Sequence, residues 1–90
     1  MSVAEGTVEV QNKLGLHLRA ASTLAQAAAK FSSTITVSRG KERVSARSVT
    51  GLMMLGAGIG SKLKVKAEGS DADDALKAIT ALFNDKFGEE

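Results

Sequence analysis

The 90-residue chain contains no cysteine, no tryptophan and no tyrosine, and it has a single histidine, His17. Without cysteine it can form neither a disulfide nor a thiolate metal site, so we expect a protein of a reducing compartment rather than a small secreted one. One histidine excludes a histidine-rich metal cluster, and we expect no metal. The chain also lacks the tryptophan and tyrosine side chains that stack on nucleic-acid bases.

Strong charge and long apolar runs are also absent. Twelve basic and ten acidic residues give a net charge of +2, which is too small to indicate a nucleic-acid partner. No apolar run approaches the roughly 20 residues that span a bilayer, and the opening "MSVAEGTVEV" lacks the pattern of a signal peptide. We therefore expect a cytoplasmic protein without membrane insertion, folded as one domain over residues 1–90.

Four segments alternate apolar and polar residues, as half-buried β-strands do. The second face of each carries charged or hydroxyl side chains, which is typical of an antiparallel sheet with one side open to water. The four predicted strands are residues 7–12, 33–39, 42–47 and 62–68.

Three further segments have helical character. The alanine-rich residues 18–30 predict a first helix, and residues 48–56 predict a short second one that Ser48 opens. A third helix is expected to begin at a Ser70 cap and to carry its apolar stripe as far as Phe87. The order βαββαβα predicts an α+β fold, an open-faced two-layer β-sandwich whose four-stranded antiparallel sheet is covered on one face by three helices.

His17 lies in "LGLHLRAAS", at the start of the first predicted helix. A helix N-terminus presents unpaired N–H groups and the positive end of a dipole, which together favour an anion. Arg19 adds a second positive charge, so we expect a largely neutral imidazole that can attack phosphorus, with Arg19 and the helix amides stabilising the transferred group. A histidine at this place can equally be a simple capping or surface residue.

Two motifs resemble the HPr family, the histidine-containing phosphocarriers of the bacterial phosphoenolpyruvate-dependent phosphotransferase system. The first is "GLHLRAAS" from Gly15, and the second is "RSVTGLMMLG" from Arg47. The resemblance covers almost the whole chain. Two residues depart from the family pattern: Ala20 replaces the usual proline, and Leu18 is bulkier than the usual small residue beside the histidine.

The resemblance implies a function and a set of partners. His17 would accept a phosphoryl group on Nδ1 from phosphorylated enzyme I and pass it to an enzyme IIA component of a sugar-uptake system, with Arg19 steadying the group. Such a protein is a stoichiometric carrier and not an enzyme, it needs no cofactor, and we expect a monomer. Ser48 matches the serine that HPr kinase/phosphorylase modifies in many relatives, although a serine before a helix is also a good N-cap.

The second helix is too short to bury every apolar side chain in "VTGLMML". We therefore predict that Val49, Leu52 and Met53 form a partner surface beside His17, where flexible methionine suits several partners. The rim of this surface is expected to comprise Gly15, Arg19, Lys30 and Arg47.

Three alternatives stay open. The first is a carrier in a regulatory, nitrogen-related phosphorelay, which only the acceptor would distinguish from a sugar-uptake carrier. The second is a small-molecule-sensing α+β domain, which would not require His17. The third is a nucleic-acid module based on the sequence pI of 9.2, whose binding would weaken steeply with salt. The glycine-rich residues 56–61 follow a helix and precede a strand, the reverse of a dinucleotide fingerprint, so we assign them no nucleotide.

Overall fold

The structure is a computed structural model that describes residues 2–89. Within this range the order of elements is βαββαβα, as the hydrophobic pattern predicts. A short 3₁₀ turn, which was not predicted, follows the last helix. The elements are β1 (Ser2–Glu9), α1 (Leu18–Ala28), β2 (Thr34–Arg39), β3 (Glu42–Ser45), α2 (Val49–Met54), β4 (Lys62–Gly69), α3 (Ala72–Asn84) and the 3₁₀ turn Lys86–Gly88.

The four strands form one antiparallel sheet in the order β1-β4-β2-β3. Side chains alternate between its two faces because successive residues of a strand point in opposite directions. One face is apolar and contributes to the core; in β4 it consists of Leu63, Val65 and Ala67. The helices cover this face, while the other face is polar and open, so the predicted open-faced sandwich is confirmed.

Alanines at the centre of α1 allow the helix to approach the core closely. Ala21, Leu24 and Ala28 are fully buried, and the same core contains Ile79 and Phe83 of α3. Within residues 2–89 no helix is both long and apolar enough to cross a membrane.

Several element boundaries differ from the sequence expectation. Strand β1 occupies Ser2–Glu9 instead of 7–12, because pairing with β4 extends it through a segment whose small residues give little alternation. The predicted Ser70 cap of α3 is wrong: Asp71 is the N-cap residue. The Asp71 carboxylate does not cap α3 but accepts hydrogen bonds from the N–H groups of Ser32 and Ser33 and from the Ser33 hydroxyl.

The third helix ends at Asn84, before the predicted limit at Phe87, and the chain then reverses direction. Lys86 and Phe87 have positive φ angles of 55° and 56°, a conformation that non-glycine residues rarely adopt. Phe87 is buried and packs edge-to-face on Phe83, with 4.8 Å between ring centroids. This contact helps to place Glu89, two residues further on, at the start of α1, where it meets His17.

Candidate functional site

His17 is the N-cap residue of α1, as the sequence predicts. Its backbone is extended, with φ −78° and ψ 179°, and its carbonyl accepts the first intrahelical bond from the Ala21 N–H at 2.8 Å. The Nδ1 atom accepts a hydrogen bond from the Arg19 backbone N–H at 3.3 Å. The imidazole is therefore held at the helix N-terminus with Nδ1 facing the unpaired amides.

Gly15 allows the loop before α1 to contact the segment that follows α2. Its φ of +70° lies in the left-handed region, and a Cβ at this position would stand 2.5 Å from the carbonyl oxygen of Ala57. The Leu16 N–H donates to the same oxygen at 2.9 Å. A glycine is thus needed here on two grounds, and the close approach brings the two sequence motifs together.

Glu89 is a site residue that sequence reasoning missed. Its Oε2 atom lies 2.6 Å from His17 Nε2, although the two residues are 72 positions apart. An ionised carboxylate only accepts hydrogen bonds, so Nε2 must be the donor and must carry the ring proton, which leaves the lone pair on Nδ1. Glu89 Oε2 also lies 3.6 Å from the Nε atom of Arg19, whose side chain is 74% exposed.

Asn12 fixes the Glu89 carboxylate in turn. The fully buried Asn12 amide donates to Glu89 Oε1 at 3.0 Å and to the Gly15 carbonyl at 2.7 Å. The Asn12 hydrogen bond is the largest influence on the Glu89 carboxyl and lowers its pKa; burial, the next in size, opposes this, and the hydrogen bond and charge of His17 and the charge of Arg19 lower the pKa further, so that it stays below its ordinary value. The carboxylate is therefore ionised at neutral pH. No local sequence signal connects Asn12 or Glu89 with His17.

An apolar surface borders His17, but its composition differs from the prediction. Leu52 is fully buried in the core, so its expected place on the partner surface is wrong: it lies on the side of α2 that packs inward. Val49 is partly buried, and Met53 is 43% exposed. The sequence analysis overlooked Leu14, which is 65% exposed and lines a depression of about 320 Å³ together with His17 and Met53.

Leu18, which directly follows His17 and is the first residue of α1, is 60% exposed. We call Leu14, Leu18 and Met53 the apolar collar of His17. Ala20, the second departure from the family motif, is fully buried in the first turn of α1.

Lys30 and Arg47 do not form the rim of this surface. Arg47 donates from Nη2 to the Phe31 carbonyl at 2.6 Å, and Lys30 directly follows the C-cap residue Ala29. Both residues therefore lie beyond the C-terminal end of α1, about 16 Å along the 11-residue helix from His17.

Ser48 caps α2. Its Oγ atom accepts a hydrogen bond from the Gly51 N–H at 2.9 Å, and its backbone is extended. This is the structural role that the sequence allows for it, and the side chain is partly exposed.

The fold and the site together define a class of protein: an open-faced α+β chain that presents one histidine at a helix N-terminus, with Nδ1 facing the Arg19 N–H. The family model described as the PTS HPr component phosphorylation site matches residues 4–85. The chain therefore belongs to the HPr family of phosphotransferase-system phosphocarriers.

Individual relatives agree with this assignment. The phosphocarrier protein NPr of Shewanella violacea is 47% identical over 89 residues, covering 99% of this chain and 98% of that protein. The phosphocarrier protein HPr of Treponema pallidum is 46% identical over 84 residues, covering 93% and 96%. The crystal structure of HPr-C-His from Thermoanaerobacter tengcongensis superposes with a TM-score of 0.92 at 46% identity, covering 97% of this chain and 98% of that one.

Proposed function

We propose that His17 accepts a phosphoryl group on Nδ1 from phosphorylated enzyme I and passes it to an enzyme IIA component. The observation that carries the proposal is the hydrogen bonding of the imidazole: Nε2 donates to Glu89, and Nδ1 faces the first amides of α1. The reactive lone pair therefore points to the place where a helix N-terminus best stabilises an anion.

In the transfer, the Nδ1 lone pair attacks phosphorus, a P–N bond forms, and the bond between phosphorus and the donor breaks, with its electron pair returning to the donor. The ring proton stays on Nε2 throughout. The positive charge that develops on the imidazole is balanced by the Glu89 carboxylate at 2.6 Å. The Arg19 N–H, released from Nδ1, and the exposed Arg19 guanidinium, whose Nε atom lies 3.6 Å from Glu89, can bind the phosphoryl oxygens.

The second transfer reverses these steps, so each chain carries one phosphoryl group and acts as a stoichiometric carrier without a cofactor. The apolar collar of Leu14, Leu18 and Met53 would contact both enzymes in turn, because Leu14 and Met53 are exposed and line a depression with His17, and the exposed Leu18 follows His17 directly in the chain. We place this relay in the cytoplasm and treat the carrier as a monomer.

The first experiment is intact-mass analysis after incubation with enzyme I, phosphoenolpyruvate and magnesium. We expect one acid-labile phosphoryl group on the wild-type chain and none on a His17→Ala variant, with an established HPr labelled in the same mixture as the positive control. The proposal fails if the reference HPr is labelled and this chain is not, or if His17→Ala is labelled as well.

The relationship to NPr favours a second candidate within the same family, a carrier of a regulatory, nitrogen-related relay. The two candidate functions differ in the protein that accepts the phosphoryl group from His17. Phosphorylated chain should be mixed with an enzyme IIA component of a sugar system and, separately, with one of the regulatory branch. Faster loss of the label to the sugar component supports the first proposal, and faster loss to the regulatory component supports the second.

We also propose that Ser48 is a regulatory phosphorylation site for HPr kinase/phosphorylase. The support is its partial exposure and its position at the start of α2, the helix that contributes Met53 to the apolar collar. A phosphate there would place negative charge beside the surface that meets enzyme I and would oppose docking. Incubation of the chain with that kinase and ATP, with Ser48→Ala as the control, tests this directly.

A further inference from the structure

The open face of the sheet carries a depression that the phosphocarrier function does not use. It has a volume of about 310 Å³, and His17 is not among the residues that line it. Its walls include four cationic side chains and two hydroxyl side chains: Lys41, Arg43, Lys64, Lys66, Thr36 and Ser38. Cations and hydroxyls together are the donors that proteins use for phosphate oxygens.

Strand register arranges these donors in two rows. In the first row, Ser38 of β2 lies opposite Lys64 on one side and Arg43 on the other. In the second row, Lys66 of β4 lies opposite Thr36 on one side and opposite Glu5 on the other. Opposed side chains have Cβ atoms about 4.5–5.5 Å apart, so each row brings a hydroxyl and at least one cation together. The rows are two residues apart along each strand, which corresponds to about 6–7 Å.

The positive charge in this depression is poorly balanced. Among residues 2–89, Lys41, Arg43 and Lys64 form no ion pair, while Lys66 has only an exposed pair with Glu68 at 3.6 Å. Glu5 is the single acidic side chain in the lining. Neighbouring like charges on a sheet repel one another, so an anion bound among them would relieve this repulsion.

We propose that this depression binds a small molecule that carries two or more phosphate groups. Four cations and one carboxylate leave a net charge of +3 in the lining, which a molecule with two phosphates neutralises more fully than one with a single phosphate. The surface is concave and lacks an aromatic side chain on which a nucleic-acid base could stack, which favours a compact polyanion. His17 does not line this site, so we expect the site to bind its ligand independently of the carrier site.

The test is a titration of the uniformly ¹⁵N-labelled full chain with tripolyphosphate at constant ionic strength, followed by amide NMR shifts. We expect saturable shifts that are concentrated at Ser38, Lys41, Arg43 and Lys64. A double variant, Arg43→Gln with Lys64→Gln, should bind about tenfold more weakly or worse, because charge-assisted hydrogen bonds are lost. His17→Ala should bind as tightly as wild type, so this result does not depend on the carrier function.

The matched control is Lys77→Gln with Lys86→Gln, which removes the same charge from exposed positions in and just after α3. All variants carry surface substitutions, and their spectra report directly whether they are folded. Equal weakening in both double variants, or shifts spread over all lysines, would mean simple charge screening and would overturn the proposal. Binding of an acidic peptide in place of tripolyphosphate would overturn it too and would identify a protein-docking face.

Discussion

At the scale of single residues, the chemistry of His17 depends on the side chain that its Nε2 atom meets. Glu89 accepts from His17 with one oxygen and from the buried Asn12 amide with the other. Both neighbours are donors, so the site requires a group with two acceptor oxygens, and only a carboxylate supplies them. In the proposed transfer, Asn12 and Glu89 therefore position the ring, and Glu89 also faces the positive charge that develops on it.

We predict that Glu89→Gln impairs the site although it preserves size and shape. Glutamine offers one acceptor oxygen, so either His17 or Asn12 loses its partner. The ring should then populate the tautomer with the proton on Nδ1, which cannot attack phosphorus. We expect phosphoryl transfer from enzyme I to slow by roughly 10- to 100-fold. The measurements are imidazole ¹⁵N shifts, which report the tautomer, and initial rates of phosphorylation.

Asp85→Asn is the control, because it removes a negative charge from the same C-terminal segment, and the Asp85 side chain makes no hydrogen bond in the described chain. It should leave both the tautomer and the rate near their wild-type values. If Glu89→Gln also leaves both unchanged, Glu89 does not position the ring.

At the scale of elements, the short helix α2 depends on contacts with the rest of the fold for its stability. It has only six residues, Val49–Met54, and an isolated helix of that length is not stable in water. The buried side chain of Leu52 and the cap from Ser48 to the Gly51 N–H hold it in place. This helix also carries Met53, so its stability determines the shape of the apolar collar.

We predict that Ser48→Ala lowers the free energy of unfolding by about 1 kcal/mol, as loss of an N-cap generally does. Urea denaturation measures the change, and Thr50→Ala, at an exposed position of the same helix, should cost clearly less. Equal losses in the two variants would show that the cap contributes nothing specific.

Two further substitutions separate capping from charge. Asparagine and aspartate both cap helices about as well as serine, so Ser48→Asn and Ser48→Asp should keep stability close to wild type. Only aspartate adds a negative charge beside the collar. We expect Ser48→Asp, and not Ser48→Asn, to raise the KM for this chain in phosphorylation by enzyme I.

At the scale of the whole molecule, Asp71 links the start of α3 to the segment before β2. Its carboxylate, at the start of α3, accepts from the N–H groups of Ser32 and Ser33 at 2.9 Å each, just before β2. The Ser33 hydroxyl, with the Ser32 N–H next in effect, lowers the pKa of Asp71 from 3.8 to about 2. A carboxyl whose pKa is lowered by folding stabilises the fold only while it is ionised.

We therefore predict a pH-dependent contribution from Asp71. It should be complete above the unfolded pKa near 3.8 and should disappear as the pH falls through about 2. Asp71→Asn should lower stability at pH 7, because asparagine keeps only one acceptor oxygen and its NH2 group cannot accept from the second serine N–H, and the difference from wild type should shrink between pH 4 and pH 2. Urea denaturation across this range measures it.

Asp73→Asn is the matched control at whole-molecule scale, since Asp73 lies in the first turn of the same helix and is exposed. It should show a smaller loss at pH 7 with little change toward acid. A difference between Asp71→Asn and wild type that persists at pH 2 would contradict the assigned role.

The sequence by itself determined the order of elements and the place of His17. Hydrophobic period and helix capping are local properties, so Val37 and Val65 are recognisable as strand core and His17 as a helix-start residue without any knowledge of their neighbours in space. The family motifs are equally local, since each lies within about ten residues. Even the short helix behind Ser48 follows from its cap and its apolar run.

Only the tertiary structure decided which side chains complete the site. Glu89 and Asn12 are 77 positions apart in the sequence, and Asp71 is 38 positions from Ser33. At such separations the sequence pattern does not show which residues pair. The burial of Leu52 and the exposure of Leu14 were also decided there, because the sheet determines which side of a short helix packs inward. Contacts between Glu89 and the distant residues Asn12 and His17 thus decide which ring nitrogen of His17 carries the proton.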